Sequence, residues 1–167
     1  MPSETLLPQP PQFLQKIVPR EEAPQRLAAL ARPIVFTNGV FDVLHRGHAT
    51  YLAHARALGG SLVVALNTDA SVRRLKGEGR PINDLDSRAV VIGGLQSVDR
   101  VTAFDDPTPL ALIERLRPDV LIKGADYTRE GVVGGDLVES WGGEVRLAAF
   151  TDGFSTTRTI ETMKGSV

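Results

Sequence analysis

Cysteine is absent from the 167 residues. That excludes disulfides, thiolate zinc sites and a thiol nucleophile, and it suits a reducing compartment. Long apolar runs are missing too: stretches such as Leu62–Leu66 fall far short of the roughly 20 residues that span a bilayer. The N-terminal MPSETLLPQPPQ has no basic segment followed by an apolar run, so a secretory signal is not expected. Neither sign of charge is in excess, the net being −1 at pH 7. Nucleic acid needs a Lys/Arg-rich face to displace condensed counterions, so no nucleic-acid partner is expected, and an anionic ligand must be held by a local cluster. The expectation is a cytoplasmic protein with no membrane partner.

What is present is an ordinary globular composition, 42% hydrophobic and 23% charged, in a chain the size of one domain. Five prolines among residues 1–19 predict a loose, extended arm. A short helix over 20–31 follows, with Leu27, Ala28 and Leu30 inward, and a core over 33–164 completes the domain 20–167. Strands are expected at Ile34–Thr37, Leu62–Asn67, Arg100–Phe104, Val120–Lys123 and Glu144–Phe150, several of them continuous apolar runs suited to burial on both faces. Helices are expected at about 46–58, 85–96, Pro109–Arg117, 130–141 and 156–164. The β-α-β rhythm predicts an α/β fold: one Rossmann-like, doubly wound domain with a five-stranded parallel sheet and helices on both faces.

In such a sheet ligands bind beyond the carboxyl ends of the strands. The segments there are Asn38–His48, Thr68–Arg80, Lys123–Tyr127 and Thr151–Arg158, and they carry the His, Lys, Arg, Asp and Ser/Thr clusters. His45 and His48 open a helix three residues apart, on nearly one face. The helix start adds unpaired N–H donors and a positive dipole end, an anion site. Gly39 lets backbone approach a ligand closely, and Gly47 leaves room for a phosphate or base. Phosphoryl transfer needs positioned donors more than covalent help, and two imidazoles at a helix start supply them. Asp42 either holds a substrate hydroxyl or fixes the turn. His54 lies about 120° round the helix, as an ordinary surface residue does.

The other segments read in the same way. Ser155-Thr156-Thr157-Arg158 is either a plain helix cap or a second phosphate site. Arg73, Arg74, Lys76, Arg80 and Arg88 after the second strand are either a solvated basic stretch or, with Gly77 and Gly79, a lid over an acceptor phosphate. Lys123 ends a core strand, where an unpaired charge is costly, which favours a phosphate contact. Trp141 reads as helix packing.

The string Gly-x-Phe-Asp-x-x-His-x-Gly-His, directly after a strand and opening a helix, resembles the signature of the nucleotidyltransferase superfamily that includes cytidylyltransferases and pantetheine-phosphate adenylyltransferase. Ser155-Thr156-Thr157 resembles its second signature, with Phe154 where isoleucine is usual. Within that superfamily FTNGVFDVLHRGH, LNTDASVRRLKGEGRPIN, LIKGADY and DGFSTT look like the heptose 1-phosphate adenylyltransferases, over about four-fifths of the chain. Glycerol-3-phosphate cytidylyltransferases, which use CTP, are the runner-up. They differ at Gln96–Val101, at Phe150 and at Lys123. A nucleotide-binding regulatory module without turnover is the non-enzyme alternative. The resembled activity is fused to a kinase in some bacteria; a stand-alone form is the expectation here.

The resemblance implies transfer of AMP from ATP to D-glycero-β-D-manno-heptose 1-phosphate, releasing pyrophosphate. His45, His48 and Lys123 are the implied catalytic groups. Nucleotide contacts fall to Asn38, Gly39, Phe41, Gly47, Gly124, Asp126, Tyr127, Ser155, Thr156 and Thr157. Asp42, Lys76, Arg80 and Arg88 take the acceptor. Mg²⁺ is expected to ride on the substrate phosphates without protein ligands, and a homo-oligomer is compatible with the family.

Overall fold

The computed structural model describes residues 9–124 and 127–148, together with Ile160 and Thr162. Five strands, β1 (Ile34–Gly39), β2 (Ser61–Asn67), β3 (Arg100–Phe104), β4 (Val120–Gly124) and β5 (Glu144–Ala148), pair in the order β3-β2-β1-β4-β5. Every pair is parallel. The helices between them are α1 (Ala23–Ala28), α2 (Arg46–Arg56), α3 (Asp69–Lys76), α4 (Leu85–Gly93), α5 (Leu110–Leu116) and α6 (Gly135–Ser140). This is the doubly wound α/β arrangement the sequence predicts, and its winding reverses between β1 and β4. Two crossovers leave in opposite directions there and open a crevice at the carboxyl ends of those strands.

Period-two alternation sorts each apolar run onto two faces. Ile34, Phe36, Val63, Ala65 and Leu121 pack with Leu27 of α1, Ile113 and Leu116 of α5 and Val138 of α6. Val35, Leu62, Val64, Leu66, Val120 and Ile122 pack on the opposite side with Tyr51, Leu52 and Ala55 of α2 and Ala89 and Ile92 of α4. Continuous apolar sequence is thus what a sheet covered on both sides needs.

In α1 Leu27 is buried as expected but Ala28 is exposed, because the helix turns that position to solvent. Three larger local expectations change. First, the arm is not loose over its described part. Gln12–Lys16 form a 3-10 turn, Ile17 bridges in parallel to Val101, Val18 N–H donates to Val101 O at 2.8 Å, and Lys16 Nζ donates to Leu95 O at 2.9 Å. Val18 is buried. The free edge of β3 offers unpaired backbone groups, and the Ile-Val pair satisfies them despite the surrounding prolines. Second, the basic stretch after β2 is not one loop but helix α3, started by Thr68, whose Oγ1 accepts from Ser71 N–H at 3.2 Å. Third, the helix expected over 130–141 splits into a 3-10 turn at Arg129–Gly131 and α6, because Gly134 takes φ +86°. A Cβ there would also lie 2.8 Å from Ile113 Cδ1. Most of the last expected helix, 156–164, lies outside the described residues.

Candidate active site

The start of α2 carries the paired imidazoles. His45 is the N-cap, in extended backbone, and its N–H donates to His48 Nδ1 at 3.4 Å. The rings stack with centroids 3.9 Å apart, and Phe41 packs on His48 at 5.2 Å. Burial, then the neighbouring His45, pushes the His48 pKa down to about 4, and burial lowers that of His45. Both rings are therefore neutral at pH 7. With Nδ1 accepting, the neutral His48 carries its proton on Nε2, leaving an N–H donor for a ligand oxygen. Gly39 serves this arrangement through packing: a Cβ would lie 2.9 Å from the Phe41 ring, which turns back over it at φ +47°.

His48 lines a cavity of about 540 Å³ at the carboxyl ends of the strands, together with Asn38, Gly39, Phe41, Lys76, Arg80, Lys123 and Tyr127. That volume suits a nucleotide-sized ligand. A smaller adjoining recess over β1 and β4 shares Asn38, Phe41, His48, Lys123 and Tyr127 and adds Gly124. Lys123 Nζ donates to Asn38 O at 3.0 Å across the β1–β4 junction and lies 5.3 Å from the Tyr127 ring centroid. The ammonium is thus fixed at the switch point. Buried Asn38 Oδ1 has no hydrogen-bond partner among the described residues. Further wall comes from Val40 and Pro109 and from Asn67, Leu75, Phe104, Pro107, Thr108 and Val133, none of which sequence reasoning named as site residues. Their common signal was position at or beyond the ends of β1, β2, β3 and β4, not chemistry.

Two expected acceptor ligands take other roles. Asp42 borders the cavity, but its carboxylate is fully buried and occupied. It accepts from Arg80 Nε at 2.7 Å, Ile82 N–H at 2.8 Å and Asn83 N–H at 2.8 Å. Burial alone would raise its pKa; the Asn83 and Ile82 N–H groups and Arg80 overcome that and hold it below the ordinary value. Of the two alternatives for Asp42, fixing the turn is the one its bonds serve. Arg88 does not line the cavity. Its side chain is fully buried and donates to Asn83 O, Val40 O, Asn67 O and Asp69 Oδ1 at 2.7–3.0 Å. It ties the ends of β1 and β2 to the starts of α3 and α4, which leaves no free donor pair for a phosphate.

Lys76 and Arg80 do reach the cavity, Lys76 from the end of α3 and Arg80 from the clamped segment after it. Only Gly77–Gly79 lie between, so the expected lid shrinks to a short tip. Arg74 pairs instead with Asp105. Gly47 is buried in the first turn of α2 and lines neither space, while His54 is exposed. Trp141 packs against the core and donates Nε1–H to Pro118 O at 3.0 Å. Asp126, Ser155, Thr156 and Thr157 lie outside the described residues. Among the described residues no group of three or more His, Asp or Glu could hold a metal ion, and no helix is long and apolar enough to cross a membrane.

A doubly wound sheet whose switch point presents His48 and a strand-end lysine to one cavity, with His45 stacked behind His48 and lining neither space, is the arrangement of a nucleotidyltransferase. The chain belongs to the cytidylyltransferase-like family, whose sequence profile matches residues 36–161. It is 59% identical over 128 residues to the bifunctional protein HldE of Marinomonas sp. strain MWYL1, covering 77% of this chain and 27% of that protein. The HldE of Geobacter sulfurreducens is 56% identical over 133 residues, covering 80% of this chain and 27% of that protein. The chain therefore spans little more than a quarter of these relatives. Among solved structures, a lipopolysaccharide core biosynthesis protein of Thermoplasma volcanium superposes with a TM-score of 0.59 at 29% identity, covering 72% of this chain and 98% of that one. Pantothenate synthetase of Thermus thermophilus shares the fold, with a TM-score of 0.62 at 16% identity, covering 90% of this chain and 70% of that one.

Proposed function

We propose that the chain transfers AMP from ATP to D-glycero-β-D-manno-heptose 1-phosphate, forming ADP-heptose and releasing pyrophosphate. One observation carries this reading: His48 and Lys123, on either side of the β1–β4 junction, share a cavity with Lys76 and Arg80 on its other flank. That is one space with donors for a triphosphate at one end and cations for a second phosphate at the other. The kinship with HldE proteins, the likeness to a lipopolysaccharide core biosynthesis protein and the sequence segments quoted above support the choice of acceptor.

In this mechanism a phosphate oxygen of the sugar attacks the α-phosphorus in line as the bond to the bridging oxygen of pyrophosphate breaks. No covalent enzyme intermediate is needed. The His48 Nε2–H donates to an α-phosphate oxygen as charge builds there, and His45, stacked on it, supports the ring and the leaving group. Donors already in place pay no reorganisation cost at the moment of reaction. Lys123, held by Asn38 O, contacts the nucleotide phosphates, and Asn38 Oδ1 is an acceptor for a ribose or base donor. Lys76 and Arg80 take the acceptor phosphate. Ser155, Thr156 and Thr157 remain assigned to pyrophosphate by motif alone. Mg²⁺ enters with ATP as part of the substrate, held through phosphate oxygens. Asp42, a carboxylate in the cavity wall, is already occupied by Arg80 and two backbone N–H groups.

Pyrophosphate release from each nucleoside triphosphate against a panel of phosphorylated sugars and polyols tests the assignment. The expected result is turnover with ATP and heptose 1-phosphate. Turnover confined to CTP with glycerol 3-phosphate, or none with any pair, would overturn it.

A further inference from the structure

We infer that Asn83 is a positioning residue that aims Arg80 at the acceptor phosphate. The inference rests on the reading of Arg80 as an acceptor ligand. Asn83 is exposed and stands just before Asp84, the N-cap of α4, outside every group assigned above. It nevertheless holds Asp42 at two points. Its N–H donates to Asp42 Oδ1 at 2.8 Å and its Nδ2 to Asp42 O at 2.7 Å. Its own carbonyl accepts from buried Arg88 Nε at 3.0 Å. Backbone and carboxylate of Asp42 are thus gripped by one residue anchored from below.

The carboxylate so held takes Arg80 by Nε at 2.7 Å. Gripping Nε fixes the plane of the guanidinium and leaves its two terminal nitrogens, which make no hydrogen bond among the described residues, to meet a phosphate in a fork. Nothing on the other flank can do this. Gly77 and Gly79 stand in open surroundings, where an added Cβ would meet no atom within 4 Å. Past the helix-ending bond from Gly77 N–H to Arg73 O at 2.9 Å, the segment's backbone bond among the described residues is the turn bond from Arg80 N–H to Gly77 O at 3.1 Å. Orientation therefore reaches Arg80 through Asp42, whose carboxylate Ile82 N–H and Asn83 N–H hold and whose backbone the Asn83 side chain alone grips among the described residues.

The test is the KM for the sugar 1-phosphate at saturating ATP, with ATP affinity measured beside it, in Asn83→Ala, Asn83→Asp, Arg80→Ala and the double variant Asn83→Ala/Arg80→Ala. Loss of the side-chain bond should raise acceptor KM about tenfold and leave ATP affinity unchanged. Asn83→Asp, which sets an acceptor where Nδ2 donates, should do at least as much. The double variant should match Arg80→Ala alone, because Asn83 acts through Arg80. Additive effects, an unchanged acceptor KM in Asn83→Ala, or loss of ATP binding in that variant would overturn the inference. An Arg80→Ala variant with normal acceptor KM would remove the acceptor reading, and this inference with it.

Discussion

His45 and His48 stack with ring centroids 3.9 Å apart and planes 23° from parallel, and the N–H of the first donates to Nδ1 of the second. Two imidazoles this close cannot both carry charge without repulsion, and burial disfavours charge on either. Their lowered pKa values keep the pair neutral at pH 7.

That neutrality makes stability depend on pH. The folded pKa of His48, about 4, lies below its unfolded value of 6.5, so between those values the unfolded chain binds more protons. The contribution is fully present above pH 6.5 and is lost as pH falls toward 4; His45 acts in the same direction. Urea denaturation across this range should show stability declining with acid, and His48→Gln should flatten the slope. An unchanged slope would contradict the burial of the ring.

Turnover depends on the same ring. His48→Ala should lower kcat by roughly a hundredfold or more, the scale of losing one preorganised donor. Pyrophosphate release under saturating substrates reads this directly. Near-normal kcat would remove His48 from the chemistry.

Lys123 is expected to act in binding. Lys123→Ala should raise the KM for ATP by about tenfold to a hundredfold, the worth of a charge-assisted bond. The acceptor KM should change far less. An acceptor-only effect would place the nucleotide on the wrong flank of the cavity.

Arg88 separates structure from substrate binding. Arg88→Leu strands the carbonyls of Val40, Asn67 and Asn83 and the Asp69 carboxylate, and should cost about 3–5 kcal/mol of stability. A folded variant of normal stability with a raised acceptor KM would instead return Arg88 to the acceptor site.

The sheet was legible because runs such as Leu62–Leu66 suit burial on both faces and the β-α rhythm implies parallel pairing, whereas the strand order β3-β2-β1-β4-β5 is set by tertiary packing that the sequence does not display. Helix α3 was not, because Asp69, Arg73, Arg74 and Lys76 outnumber its two buried residues, Ser71 and Val72. The one signal was Thr68 followed by an acidic first turn. The arm misled for the opposite reason: its prolines describe local stiffness, while Ile17 and Val18 answer a strand edge at Val101 that local sequence does not display.

In the site, the histidine spacing was readable because a helix start fixes geometry from sequence alone. Asp42 and Arg88 were harder. A carboxylate or guanidinium beside a strand end looks the same whether its partner is a substrate or a backbone group, and only the bonds from Ile82 and Asn83 and to Val40 and Asn67 decide it. Phe104 and Pro107 carry no reactive group and Thr108 only a hydroxyl outside any motif, so their place in the wall emerges only once β3 is set beside β2.

The three histidines of the chain allow one direct test by ¹⁵N NMR of the imidazole rings, titrated with Mg²⁺ and a non-hydrolysable ATP analogue. Resonances of His45 and His48 should move, the His48 pKa should climb from about 4 as the α-phosphate settles against Nε2, and His54 should stay still. Saturation of the protein with the His45 and His48 signals unmoved would mean that the nucleotide sits elsewhere.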